Sequence, residues 1–249
     1  MCPPHNPVVP APEFTGKGGL TGKEGKYADW VYQGDHMLGQ ILEALEKKGL
    51  ADNTLVIATG DNGAAKRPYP PLRAAKSSIY EGGHREPFVA RWPGRIKPGS
   101  VCPELVCLND LFATCADILE ENLPPGAGED SVSILPLLEG RPGPVREAVV
   151  HQASGGLALR QGPWKQIFHR DGRRELFNLR EDIGETKDLS ASRSEVSARL
   201  TALMQHYIDR GRSTPGPAQK NDFAVTLWDG REERKERRKR KKKKGAEKN

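Results

Sequence analysis

Apolar residues recur at three- and four-residue spacing from Tyr27 onward. Trp30, Val31, Gly34, Met37, Leu38, Ile41, Leu42 and Leu45 share one face, and Asp29, Gln33, Gln40, Glu43 and Lys47 fall on the polar side. That period, closed by Gly49, predicts an amphipathic helix. Asp52-Asn53 then turns the chain into Thr54-Leu55-Val56-Ile57-Ala58-Thr59, an apolar run without alternation, as in a strand buried on both faces. Helix, turn and strand in this order predict the second half of a parallel βαβ unit. After a loop, residues 88–92 read as a short strand stopped by Pro93-Gly94. A second helix is expected from Asn109 as N-cap, with Leu111, Phe112, Cys115, Ile118 and Leu119 on one face and Cys115 in the core.

Beyond Pro136 the period changes. Residues 148–151, 157–160, 164–168 and 175–178 read as four short strands, separated by turn signals at Ser154-Gly155-Gly156, Gln161-Gly162-Pro163 and Asp171-Gly172. This predicts an antiparallel meander. Residues 194–210 then predict a helix whose Val196, Leu200, Leu203, Met204, Tyr207 and Ile208 cover the small sheet. Residues 1–26 are rich in Pro and Gly, which excludes regular helix or central strand there.

Charge alters the picture in one place. The formal net charge of +6 hides a tail, residues 231–249, with 12 Lys/Arg and 4 Glu; the rest of the chain has 27 basic and 29 acidic residues. A block of like charge predicts a solvated tail, or an anchor for polyanions such as sulfated polysaccharide or nucleic acid. The 36% hydrophobic content suits a globular domain, and no run approaches the roughly 18 apolar residues of a membrane span. Four cysteines (2, 102, 107 and 115) without a C-x-x-C pair suggest neither a disulfide framework nor a zinc site.

Candidate chemistry begins directly after the predicted strand, at Gly60-Asp61-Asn62-Gly63. In open α/β sheets the carboxyl ends of strands carry ligands. Asp61 and Asn62 offer hard oxygens suited to calcium or magnesium; the alternative is a simple turn. Lys76 precedes Glu81-Gly82-Gly83-His84-Arg85, where paired glycines permit close backbone approach. His84 and Arg85 could bind an anion, or pair with Glu81 and hold the loop. His5 lies between prolines, and His36 and His206 read as structural or exposed.

These residues resemble the C-terminal half of type I sulfatases, the arylsulfatase-like members of the alkaline phosphatase superfamily. The resemblance runs through Pro4-His5-Asn6-Pro7, Asp29-Trp30, Gly60-Asp61-Asn62-Gly63, Lys76, Glu81-Gly82-Gly83-His84-Arg85-Glu86-Pro87-Phe88, Arg91-Trp92-Pro93-Gly94 and Gly162-Pro163-Trp164-Lys165, so it covers about residues 3 to 222. It implies hydrolysis of sulfate esters, with Asp61 and Asn62 as ligands of a calcium ion, Lys76 on the substrate sulfate and His5 as an active-site histidine. It also implies a sulfated small molecule or polysaccharide as substrate and, for a full-length relative, a periplasmic or secreted setting; the compartment of this chain is left open.

The family's C/S-x-P-x-R nucleophile motif does not occur in the sequence. The expectation is therefore a sulfatase lacking its N-terminal nucleophile region, with two calcium ligands of a larger set and an unpaired sheet edge prone to association. The expected fold is α/β: an incomplete alkaline phosphatase-like sandwich core over residues 1–145, a small antiparallel sheet with a C-terminal helix over 146–222, and a basic tail from 223. A non-catalytic remnant that binds polyanions through its tail, or a phosphodiesterase or phosphonate hydrolase of the same superfamily, are the alternative readings.

Overall fold

A computed structural model describes residues 5, 7–65, 67, 69–153, 156–223, 225 and 227. The basic tail 231–249, Cys2 and the Ser154-Gly155 turn lie outside the described residues. The chain forms two compact units, residues 1–60 with 88–100, and residues 61–87 with 101–249.

In the first unit, the Pro/Gly-rich lead contains two short 3-10 turns, Pro12–Phe14 and Gly22–Glu24, and runs into helix α1, Gly25–Lys47. Asp29, expected on the solvent face, is instead buried and holds this lead. Its carboxylate accepts from Gly16 N–H at 3.0 Å and Gly18 N–H at 2.8 Å, and these backbone donors keep the carboxyl below its usual range. Gly18 must be glycine here, since a Cβ would stand 2.2 Å from the Ala28 carbonyl carbon.

Strand β1, Val56–Thr59, pairs with β2, Phe88–Arg91, in antiparallel register (Val56 opposite Arg91, Thr59 opposite Phe88). The sequence reading of β1 as a parallel strand buried on both faces is corrected. Its sole partner among the described residues is antiparallel, and its side chains are half-buried or exposed. The apolar run reads as buried because Leu, Val and Ile carry no record of what covers them.

The second unit contains helices α2 (Glu81–His84), α3 (Asp110–Ile118) and α4 (Leu135–Leu138), strands β3 (Val149–Ala153), β4 (Gly156–Gln161), β5 (Trp164–His169) and β6 (Arg174–Asn178), and helix α5 (Ser194–Arg210). The four strands form the expected meander in the order β3-β4-β5-β6, all antiparallel. Alternation splits their side chains between two cores. Leu157, Leu159, Phe168 and Leu176 pack against Leu200, Met204 and Tyr207 of α5. Ala158, Ile167 and Phe177 face the other way and pack with Ile79 and Leu179. A sheet covered on both faces, at about 1.5–3 kcal/mol for each large side chain removed from water, is a rigid base for the segment that carries Ile79.

Helix α3 departs from its expected burial. Phe112 and Leu119 are 52% and 70% exposed and Cys115 is exposed, whereas Asp110 and Thr114 are buried. Arg146 explains the inversion: its Nη1 bonds Asp110 Oδ1 at 2.5 Å, and Asp110 also accepts from the N–H groups of Cys107 and Val132. A buried, fully bonded carboxylate sets the inward face in place of the apolar stripe. Among the described residues, no helix is long and apolar enough to cross a membrane.

Candidate active site

Three glycines interleave the segments around the candidate residues. Gly63 N–H donates to the Gly83 carbonyl at 3.0 Å, and Gly82 N–H to the Arg73 carbonyl at 2.9 Å. A Cβ on Gly63 would lie 1.9 Å from Gly82 O, and one on Gly83 would lie 2.1 Å from Ser78 O. The Asn62-Gly63 pair is thus no hairpin turn; it is threaded against α2. Between these contacts the chain bends through Ala74 and Ser77, both at positive φ (64° and 70°). Non-glycine residues in that region cost on the order of 1 kcal/mol each, and here they bracket Lys76.

This threading brings Asn62 and Lys76 onto one pocket of about 460 Å³, whose other walls include Ile79, His84, His151 and Gln152. That volume is in the range of small-molecule sites. Asp61, adjacent to Asn62, is exposed. Burial first, and then the charge of Asp61, raise the carboxyl of Glu86, so two acidic groups stand near one another beside Asn62. His5 belongs to the first unit and is exposed.

Behind the pocket wall lies a group of buried charges. Lys165 Nζ, with no solvent exposure, stands 2.9 Å from Glu81 Oε1 and 2.8 Å from Glu185 Oε1. Glu81 N–H donates to Glu185 Oε2 at 2.6 Å, which anchors the start of α2. Arg85 Nη1 and Arg160 Nη1 approach Glu81 Oε2 at 3.1 and 3.5 Å. Burial opposes ionisation of Glu81, but the His84 hydrogen bond and the charges of Lys165 and Arg160 outweigh it and hold the carboxyl far below its ordinary range. For Glu185 burial wins over Lys165 and pushes its carboxyl up. His84 and Arg85 therefore both pair with Glu81 and hold the loop.

His84 Nε2 is 3.2 Å from Glu81 Oε1; an ionised carboxylate only accepts, so Nε2–H donates. The imidazole stacks on that of His151, with ring centroids 3.9 Å apart. His151 Nδ1 is shielded from water and meets no hydrogen-bond partner among the described residues, a condition worth about 1–3 kcal/mol against the fold. Burial chiefly, then the neighbouring His84 and Lys165, push its pKa from 6.5 down to about 3.

A pH dependence follows. An unfolded His151 takes up a proton as pH falls through 6.5, and the folded one does not until about 3. Stability is therefore complete above the unfolded pKa and declines as pH falls between these values. Relative to His151→Phe, the wild type should lose about 2 kcal/mol between pH 7 and 4.5, allowing for partial exposure. Urea unfolding at the two pH values measures this; a constant difference between the proteins would contradict it.

Sequence reasoning singled out Asn62, Lys76 and the Gly-Gly pair, and it missed His151, Lys165 and Glu185 as parts of one arrangement. No local signal marks them: His151 and Lys165 lie in strands, each followed by a glutamine, and their partners are distant in the chain.

A sulfatase family model matches residues 5–121. In sequence and in its α/β fold the chain is similar to sulfatases. It is 33% identical to N-acetylgalactosamine-6-O-sulfatase of Bacteroides thetaiotaomicron over 232 residues, covering 81% of this chain and 44% of the relative. With N-acetylgalactosamine-6-sulfatase of Canis lupus familiaris it shares 33% over 267 residues, covering 90% and 50%. A solved sulfatase chain from a study of glycosaminoglycan metabolism by Bacteroides thetaiotaomicron superposes with a TM-score of 0.74 at 31% identity, covering 81% and 48%. The crystal structure of Ps i-CgsB with k-i-k-neocarrahexaose gives 0.75 at 26% identity, covering 87% and 50%. The chain thus spans about half the length of the relatives it matches.

Proposed function

We propose that this chain carries the sulfate-recognising pocket of a sulfuric ester hydrolase acting on a sulfated saccharide. The observation that carries this reading is the meeting of Asn62 and Lys76 on one pocket walled by His84 and His151. An ammonium beside polar donors suits a sulfate monoester, whose negative charge is spread over oxygens. Support for the saccharide comes from relatives named as N-acetylgalactosamine-6-sulfatases and from a neighbour solved with k-i-k-neocarrahexaose.

Calcium fits the donors in kind: Asp61 and Asn62 would hold it through a carboxylate and an amide oxygen, close to the acidic Glu86. When bound, it would offset charge on the sulfate. Two side chains supply few of the roughly six to eight oxygens calcium takes, so the expected affinity of this chain is weak. Lys76 would orient the anion, and the Gly63 hydrogen bond to Gly83 would hold Asn62 beside α2.

Titration calorimetry with N-acetylgalactosamine 6-sulfate, the unsulfated sugar and phosphate, each with and without calcium, tests the reading. The sulfated sugar should bind best, and Lys76→Ala should weaken it about tenfold or more, the scale of one charge-assisted hydrogen bond. Equal binding of sulfated and unsulfated sugar would refute it. Tighter phosphate binding would favour a phosphate-ester hydrolase. The tail would add a second, polyanion-binding element; heparin retention that survives deletion of residues 231–249 would remove that part.

A further inference from the structure

The pocket is lined by groups of two kinds. Lys76 and Asn62 come from the loops after β1, and His84 and His151, from different parts of the chain, stack at 3.9 Å. We infer that His151 is a specificity-determining residue that reads the uncharged saccharide next to the sulfate, through a hydrogen bond to a hydroxyl or amide group. This rests on the proposed sulfatase reading and deepens it.

Several observations carry the assignment. His151 comes from β3, not from the loops that hold the candidate sulfate residues, so it can change without disturbing them. Its ring is held in place by the His84 stack, and His84 is held in turn by Glu81. Its Nδ1 has no partner among the described residues, and buried polar atoms in native folds usually have one. A ligand group would satisfy it once the side chains that shield it from water shift.

The charge environment points the same way. Burial first, and then the charges of His84, Lys165 and Arg160, disfavour protonation of His151, with Glu81 the opposing charge. A neutral imidazole can donate and accept, which suits a hydroxyl or an amide. It adds nothing to the attraction for the anion, which falls to Lys76. Gln152 follows at the pocket as a second neutral hydrogen-bonding side chain.

The test compares two probes on the full chain: inorganic sulfate and N-acetylgalactosamine 6-sulfate. His151→Phe keeps a ring for the stack and removes the nitrogens. It should leave the sulfate dissociation constant within about twofold and weaken the saccharide about tenfold, the worth of one good hydrogen bond. His151→Asn places a polar atom near the position of Nδ1 and should restore part of that loss. Equal weakening of both probes would assign His151 a merely structural role, and no change in either would overturn the inference while leaving the sulfatase reading intact. A wild type that ignores sulfate altogether, with Lys76→Ala indistinguishable from it, would remove both. Should His151→Phe fail to fold, His151→Ala decides with the same two probes: saccharide affinity equal to wild type would refute the inference, and selective saccharide loss would support it.

Discussion

Replacing Lys165 by methionine is expected to lower the melting temperature by roughly 10 °C, from a loss of about 3–5 kcal/mol. Lys165 is wholly buried between Glu81 and Glu185. Removing it leaves Glu81 with Arg85 and Arg160 at longer range, and Glu185 without its ammonium partner. An uncompensated buried carboxylate is among the few single-site defects that reach this size. Methionine keeps the length of the side chain, so the effect isolates charge from volume. Adding Glu185→Gln should recover part of the loss, because the two sites touch and their effects do not add. Thermal melts of the two variants measure both statements; a single variant within about 1 kcal/mol of wild type would show that the buried charges are not coupled as described.

A comparable loss is expected from one methyl group. Gly63→Ala would place a Cβ 1.9 Å from the Gly82 carbonyl oxygen, and Gly83→Ala would place one 2.1 Å from the Ser78 oxygen. Both obstacles are backbone, so neither can swing aside. Each variant should lose about 4 kcal/mol or more, or open the pocket and abolish sulfate binding. Gly34→Ala is the internal control: it lies in α1 with nothing within 4 Å of its Cβ, and should be neutral or gain about 0.5–1 kcal/mol from helix propensity. Melting curves and sulfate titrations of the three proteins check this. Wild-type stability and binding in Gly63→Ala would mean that the loops do not interleave as closely as described.

The elements were legible where local chemistry alone determines them. The meander was readable because turn residues punctuate its strands, and α5 because Leu200, Met204 and Tyr207 recur at helical spacing over the sheet. The direction of β1 was not readable, since strand pairing is a relation between distant segments and an apolar run names no partner. α3 misled for a related reason. Its apolar stripe is plain in the sequence, but the pull of Arg146 on Asp110 acts across 36 positions.

The site divides in the same way. Asp61, Asn62, Lys76 and the Gly-Gly pair stand close together in the chain, and their residue types restrict what they can do. Lys165 and His151 acquire meaning only from the fold. A lysine in a strand reads as solvated, and nothing local to Trp164-Lys165-Gln166 says that Glu81 and Glu185 will meet it.

The link from Glu81 to Lys165 and Glu185 also bears on how the molecule breathes. Because α2 is bound by its first backbone amide and by its carboxylate to groups 104 and 84 residues away, the pocket wall cannot fray as an isolated loop would. Its amide hydrogens should exchange with solvent in step with those of β5, as one cooperative opening unit. A short helix that by length alone would flicker open thus shares the lifetime of the sheet behind it.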